Sequence, residues 1–391
     1  MALRVLHTID SLHPDTGGPA RTVTALSAEL VRAGVDVEIV TRKAQATDPA
    51  LHPAGVRLTA AEGTGLRGVG AYGRTLYQRV QAMQPHVIHD HGLWLPTNVW
   101  SAVCAAWTGT SRVVTPRGML EPWALQHGAR KKRVAWHLYQ RYALQQAGQI
   151  HVTSTMEKEH VEDLGLSLPV AVVPNGVVVP DRWPAPMPRE GRRRALFLSR
   201  LHPKKGLPLL LRAWAEVAPA GWELVLAGPD DGGHAADVRN LIQQLDLRDQ
   251  VSLIGPVDDT EKWAWYQGSD LFVLPTHSEN FGVVVPEALL AGTPVLTTTG
   301  APWHELQTHR CGWWVEPSVS EITTALRQAI ACSDAERAAM GRRGQALVDA
   351  RYAWPAIAAA LKDVYARLAP SATDANDSTV SSTPPSTPFH A

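Results

Sequence analysis

T-H-S-E-N-F-G-V-V-V-P-E-A-L-L-A-G-T-P-V-L-T-T-T-G, residues Thr276 to Gly300, is the stretch whose reading decides the fold. The apolar run Leu271 to Leu274 before it predicts a strand, and Glu279, Asn280, Phe281 and Gly282 predict a polar turn. A short helix is expected from near Val284 to Gly292, and Val295 to Thr298 reads as the next strand. In an open parallel α/β sheet, a loop at the carboxyl end of a strand is where ligands bind. Two carboxylates, Glu279 and Glu287, are separated by seven residues across that turn. The second falls in the first turns of the helix, where unsatisfied N–H groups collect and favour a phosphate; Gly282 lets it approach the backbone. Ionised carboxylates accept hydrogen bonds from sugar or ribose hydroxyls. Taken singly, Glu279 reads as a loop charge and Glu287 as a residue that favours a helix start. Together with a phosphate grip they describe a nucleotide-sugar site.

The segments E-N-F-G and P-E-A-L-L-A-G-T-P-V around the two glutamates resemble the E-x7-E signature of retaining glycosyltransferases of the GT4 family. The resemblance extends over residues 1 to 369. It implies an α/β chain with the GT-B fold, two facing Rossmann-like domains with a cleft between them. The nucleotide would be held mainly by the second domain and the acceptor mainly by the first.

Composition allows this. A chain of 391 residues is long enough for two domains, each with its own core. Lys plus Arg equals Asp plus Glu at 37 each, so no global charge points to nucleic acid. Cys104, Cys311 and Cys332 are scattered and odd in number, fitting a reduced cytosolic protein without a disulfide framework or zinc spacing. The sequence shows neither a signal peptide nor a membrane-length apolar run. The expectation is a cytoplasmic protein, soluble or peripheral on the inner membrane face.

Alternating strand and helix patterns fill most of the chain, the mark of an α/β architecture. Arg4 to Ile9 predicts the first strand, followed by a helix from about Ala20 to Ala33. Gly17 and Gly18 lie between them; alone they read as a turn, and the resemblance implies a loop facing the donor phosphate. Arg42 to Gly73 reads as irregular, with a helix near Arg74 to Met83. The strand V-I-H then leads into H-D-H-G-L-W, His89 to Trp94. In extended backbone His89 and His91 share a face. A metal reading is disfavoured because adjacent ligands on so short a span are sterically awkward. His89 reads as a satisfied interior histidine. H-x-H-G-L-W resembles an element of bacterial family members that build surface polysaccharides, which implies that His91 lines the cleft.

Between Arg112 and Gln146 lie seven basic residues (112, 117, 130, 131, 132, 133 and 141) against one acid, Glu121, with Trp123, Trp136, Tyr139 and Tyr142 interleaved. Such a segment suits an anionic membrane surface or a lipid-linked pyrophosphate. The alternative is a solvated helical face with its aromatic residues in the core. Domain limits are expected at 1–180, with a Pro/Arg-rich linker at 181–193, a second domain at 194–353, and a helix at 354–369 that could cross back to the first domain. The tail 370–391 has nine Ser/Thr and four Pro and is expected to be disordered and dispensable.

R-L-H-P-K-K-G, Arg200 to Gly206, resembles the family's diphosphate clamp. Lys204 and Lys205 are adjacent; Lys205 is assigned because it precedes Gly206. The resemblance thus implies a donor site of Gly17, Gly18, Arg200, Lys205, Glu279, Asn280, Phe281, Gly282 and Glu287. His91, Arg200, Lys205 and Glu279 would act on the reacting groups: cations on the diphosphate, Glu279 on sugar hydroxyls, His91 near the reacting carbon. Glu287 would take the ribose. The chain contains no D-x-D, so neither metal nor cofactor is expected.

The activity expected is transfer of a sugar from a UDP- or GDP-sugar, with retention, to a lipid-linked or oligosaccharide acceptor in surface-polysaccharide synthesis. The alternative is a non-catalytic nucleotide-sugar-binding or scaffold protein of the same fold.

Overall fold

The computed structural model describes residues 2–13, 16–43, 50–126 and 128–369; the tail beyond 369 lies outside them. Two parallel sheets organise the chain. The first contains β1 (Arg4–Ile9), β2 (Asp36–Lys43), β3 (Arg57–Glu62), β4 (Val87–His91), β5 (Ser111–Thr115), β6 (Gln149–Val152) and β7 (Val170–Val172), in the order β3-β2-β1-β4-β5-β6-β7. The second contains β8 (Arg193–Leu198), β9 (Trp222–Ala227), β10 (Val251–Gly255), β11 (Leu271–Leu274), β12 (Val295–Thr298) and β13 (Gly312–Val315), in the order β10-β9-β8-β11-β12-β13. The central strands are buried on both faces, as parallel strands covered by helices must be, although β1 and β4 carry polar side chains among their apolar ones.

In each sheet the strand order reverses once, between β1 and β4 and between β8 and β11. Ligands in open α/β sheets settle at such switch points, outside the carboxyl ends of the strands. H-D-H-G-L-W begins on β4, Arg200 and Lys205 follow β8, and Glu279 follows β11. The expected site residues therefore stand at the two switch points.

The last helix, Trp354–Leu368, belongs to the first domain by packing. Trp354, Ile357, Ala358, Leu361, Val364 and Tyr365 are buried against Val5, Leu26, Leu30 and Val87. Their helical spacing forms one apolar stripe; each large side chain so buried contributes about 1.5–3 kcal/mol. The chain crosses where Val177 pairs beside Ala353 and its N–H meets Tyr352 O at 2.9 Å. Gly176 is required there, because a Cβ would overlap the Trp354 indole.

The irregular stretch expected at 42–73 is corrected by the structure. It contains β3 and the first turns of a helix, Gly65–Met83. Its glycines weaken helix propensity by about 1 kcal/mol each and concealed the helix. Their role is tertiary: Gly73 lies flat under the Trp100 ring, and Gly68 sits against the Gly63 carbonyl. The segment 181–193 is held on the second domain by Met187 N–H to Ala264 O (2.8 Å) and the Trp183–Trp263 contact.

Candidate active site between the two sheets

The loop after β11 is built first by its own backbone. Glu279 N–H donates to Gly300 O at 2.7 Å, and Gly282 takes φ 74°, a conformation a side chain enters at a cost. The N–H groups of Phe281, Gly282 and Val283 meet no protein acceptor among the described residues, so the loop presents free donors. Lys205 Nζ donates to Glu279 Oε2. Burial works to raise the Glu279 pKa, but the charges of Lys205, Lys204 and Arg200 overcome it and hold the carboxylate below its ordinary range. Glu279 is thus kept ionised and able to accept from hydroxyls.

Glu287 is gripped from the far side. Lys262 Nζ donates to one oxygen at 2.7 Å and Tyr266 OH to the other at 3.0 Å. Neither partner stood out in the sequence: both lie on the helix Glu261–Gln267, some twenty residues upstream. Arg200 is largely exposed and paired with Asp231 at 2.6 Å. The adjacent lysines divide their work, since Lys205 serves Glu279 while Lys204 reaches across to Glu121 of the first domain at 3.2 Å. Ser278 Oγ also donates to Glu121.

Two expected donor residues need correction. The Phe281 side chain is interior, packed at a tilt against Trp303 and Tyr352, leaving only its backbone for a ligand. Asn280 faces the first domain: its Nδ2 donates to Thr153 Oγ1 at 3.1 Å, and its carbonyl accepts from Ser154 Oγ at 3.3 Å. Gly17, at φ 81°, caps the helix Gly18–Arg32; among the described residues, neither Gly17 nor Gly18 has an atom within 4 Å of a would-be Cβ. The same helix bridges the domains through Arg21 and Asp259, 3.2 Å apart.

On the first domain, His91 is not an open cleft residue. It is 3 % exposed and belongs to a buried cluster of four histidines. Hydrogen-bond direction fixes every tautomer. Val173 O can only accept, so His151 Nε2 carries the proton that meets it at 2.8 Å. His151 Nδ1 therefore accepts from Thr115 Oγ1 (2.8 Å), which accepts from His89 Nε2 (2.6 Å); His89 Nδ1 accepts from Tyr365 OH (2.6 Å). Arg117 can only donate, so His91 Nδ1 accepts from it at 3.1 Å, and His91 Nε2–H donates to His7 Nδ1 at 2.9 Å. His7 Nε2–H is left buried without an acceptor.

Burial, reinforced by neighbouring positive charge, pushes His7 and His151 down to about 3 and lowers His89 and His91 far below their ordinary value. The cluster is neutral. His7, His89 and His91 bring nitrogens within 4.8 Å of one another, a metal-like grouping. Five of those six nitrogens are already hydrogen-bonded, however, and the Arg117 guanidinium beside them repels a cation.

Asp90 lies beneath, accepting from Thr8 Oγ1 (2.8 Å) and Asn98 Nδ2 (2.9 Å) and facing Arg112 at 3.5 Å. Burial raises its pKa to about 6. The cluster follows from register: His7 pairs with His89, and His91 with Thr115, across neighbouring strands. His7, His151 and Tyr365 were invisible as site residues because no local motif joins them.

The basic segment resolves into two populations. Arg112 is interior and Arg117 partly covered at the seam with the second domain, contrary to the membrane-facing expectation. Arg130, Lys131, Arg133 and Arg141 are exposed.

Two switch points facing each other across charged loops define the GT-B class of glycosyltransferase. Comparison with known proteins agrees. Residues 182–347 match the family of glycosyl transferases group 1, and residues 17–176 match the glycosyl transferase 4-like domain; the chain belongs to the group 1 glycosyltransferases. A D-inositol 3-phosphate glycosyltransferase of Kineococcus radiotolerans is 27 % identical, over 94 % of this chain and 95 % of its own. Among solved structures, sucrose-phosphate synthase from Thermosynechococcus elongatus superposes with TM-score 0.77 at 20 % identity, covering 94 % of this chain and 99 % of its own. Anabaena HepE in complex with UDP and glucose superposes with TM-score 0.73 at 19 % identity, covering 93 % and 100 %.

Proposed function

We propose that the chain moves a sugar from a nucleotide-diphosphate sugar to a hydroxyl acceptor with retention of configuration and without a metal. The observation that carries this reading is the Lys205–Glu279 pair beside the free N–H groups of the loop. Each member neutralises the other until a ligand arrives. A sugar's hydroxyls can then take the carboxylate, and the departing diphosphate can take the ammonium. Donors aimed in advance at developing phosphate charge are the largest source of catalysis in such sites. Lys205 and Arg200 would supply the positive charge that magnesium supplies elsewhere. The HepE complex with UDP and glucose supports a nucleotide sugar as the donor. Front-face attack, with the leaving phosphate taking the acceptor proton, is the step that the family resemblance suggests.

For the acceptor, a lipid-linked oligosaccharide fits the exposed stripe at 129–145. Val134, Leu138 and Tyr142 are 58, 75 and 69 % exposed and recur every fourth residue. Arg130, Lys131, Arg133 and Arg141 flank them. Apolar residues rimmed by cations suit the anionic face of a membrane. No helix among the described residues is long and apolar enough to cross one.

The test is hydrolysis and binding across UDP-, GDP-, ADP- and dTDP-sugars, wild type beside Glu279→Gln. One sugar turned over by wild type and not by the variant supports transfer and names the donor. Tight binding without turnover, even with lipid-linked acceptors, would favour a binding protein. Activity lost in EDTA and restored by magnesium would refute metal independence. Sedimentation with anionic but not zwitterionic vesicles, abolished by Leu138→Glu, is the expected result for the stripe.

A further inference from the structure

Arg117 follows β5 at its carboxyl end with φ 58°, in the left-handed region that side chains other than glycine's enter at a cost. Its guanidinium has five N–H donors. Two are used, one on Asn175 Oδ1 (3.0 Å) and one on His91 Nδ1 (3.1 Å), and both acceptors are neutral. Nε is fully covered and has no partner among the described residues. The three arginines most deeply buried, Arg112, Arg194 and Arg337, each face a carboxylate: Asp90, Glu223 and Asp334. Arg117 makes no ion pair among the described residues. Glu157, the carboxylate whose field reaches it, spends its oxygens on Gly118 N–H (2.7 Å), Thr153 N–H (2.8 Å) and Thr153 Oγ1 (3.1 Å). Burial lowers the Arg117 pKa to about 10.

A covered cation without a counter-ion is expensive, and a strained backbone around it more so. Both are placed at the seam between the domains. A Cβ on Gly118 would stand 2.8 Å from Asn280 Cβ in the donor loop. Arg117 as a residue is only partly covered there.

We propose that Arg117 is an oxyanion-binding residue of the interdomain site, completed by a phosphate oxygen that the donor's diphosphate or an anionic acceptor brings. The same guanidinium orients His91, so anion binding and the histidine chain share one group. The identity of the anion rests on the transferase reading; the existence of the site does not.

Calorimetry on the full chain would measure pyrophosphate, inorganic phosphate and UDP against wild type, Arg117→Gln, Arg117→Lys and Asn175→Asp. Wild type should bind pyrophosphate, Arg117→Gln at least tenfold more weakly, and Arg117→Lys in between. Asn175→Asp gives Arg117 an internal counter-ion, so it should raise the melting temperature and weaken pyrophosphate. It also carries the test if Arg117→Gln does not fold. UDP weakened in parallel assigns the donor's diphosphate; UDP unchanged while pyrophosphate and phosphate weaken assigns an acceptor anion. Wild type binding none of the three, or all variants binding like wild type, overturns the proposal. Sugar transfer by wild type with unaltered anion binding in the variants would sink this proposal and leave the transferase standing. Weakened pyrophosphate binding with no turnover of any nucleotide sugar would do the reverse.

Discussion

The loop after β11 and the histidine cluster beneath β4 lie across one seam, and they are built on opposite electrical principles. On the loop side each charge proposed to meet the donor is matched by a protein charge: Glu279 by Lys205, Glu287 by Lys262, Arg200 by Asp231. Such pairs can exchange partners when a charged ligand arrives. On the histidine side nearly every bond runs between neutral groups in one fixed direction. None can be given up without stranding a buried donor or acceptor. The loop is therefore suited to binding and chemistry, and the cluster to rigidity. Arg117, a cation set among neutral groups, joins the two.

The largest effect expected on either side is chemical. Glu279→Gln keeps the shape of the loop but removes the charge that holds Lys205. Turnover of the cognate nucleotide sugar should fall about 100- to 1,000-fold, roughly 3–4 kcal/mol of transition-state stabilisation. The melting temperature should move little. A tenfold loss or less would mean that the loop is not where the chemistry occurs.

The cluster should instead answer to acid. His7 and His151 have folded pKa values near 3, against 6.5 when unfolded. Their contribution is complete above pH 6.5 and is lost as pH falls from there toward 3. Each should cost about 2 kcal/mol between pH 7 and pH 5. Asp90 works the other way: with a folded pKa near 6 it takes up its proton early, returning about 1–2 kcal/mol over the same interval. The net change is a loss. Urea midpoints at pH 7.5 and 5.0 measure it, and coincident midpoints would show the cluster to be hydrated or charged.

Tyr365→Phe removes the only hydroxyl donor to His89 Nδ1 while leaving the ring in place. A buried acceptor left unsatisfied costs about 1–3 kcal/mol, read as a lower urea midpoint with nucleotide affinity unchanged. Smallest is Glu121→Gln, which weakens the bridge from Lys204 across the seam. Glu121 is buried and the amide keeps its shape and an acceptor oxygen, so the lost charge should cost about 1 kcal/mol of stability. The KM for the nucleotide sugar should shift by a few-fold at most, and a larger shift would make this bridge part of domain closure.

Legibility followed the range of the interactions. The unit Leu271 to Thr298 was readable because strand, turn, helix and strand follow one another within thirty residues, and β11, the helix Val284–Leu290 and β12 lie where the pattern puts them. β3 and the start of the next helix were not, since Gly68 and Gly73 serve partners distant in sequence or structure. The choice of Lys205 over Lys204 rested on one glycine. In the structure Gly206 takes φ 68° with its bare Cα against the Pro275 carbonyl, Lys205 reaches Glu279, and Lys204 reaches Glu121.

By itself the sequence determined the two-domain α/β plan, the loops at the strand ends and the residue types those loops carry. Periodicity, turn glycines and short motifs are local, and local energetics act through neighbours in the chain. Tertiary structure alone decided that Phe281 turns inward, that His91 is sealed beneath Arg117, and that a tyrosine 276 residues away caps His89. Those outcomes depend on strand register and on which helix crosses back to cover the first sheet. Burial then makes each misplaced hydrogen bond too costly to keep.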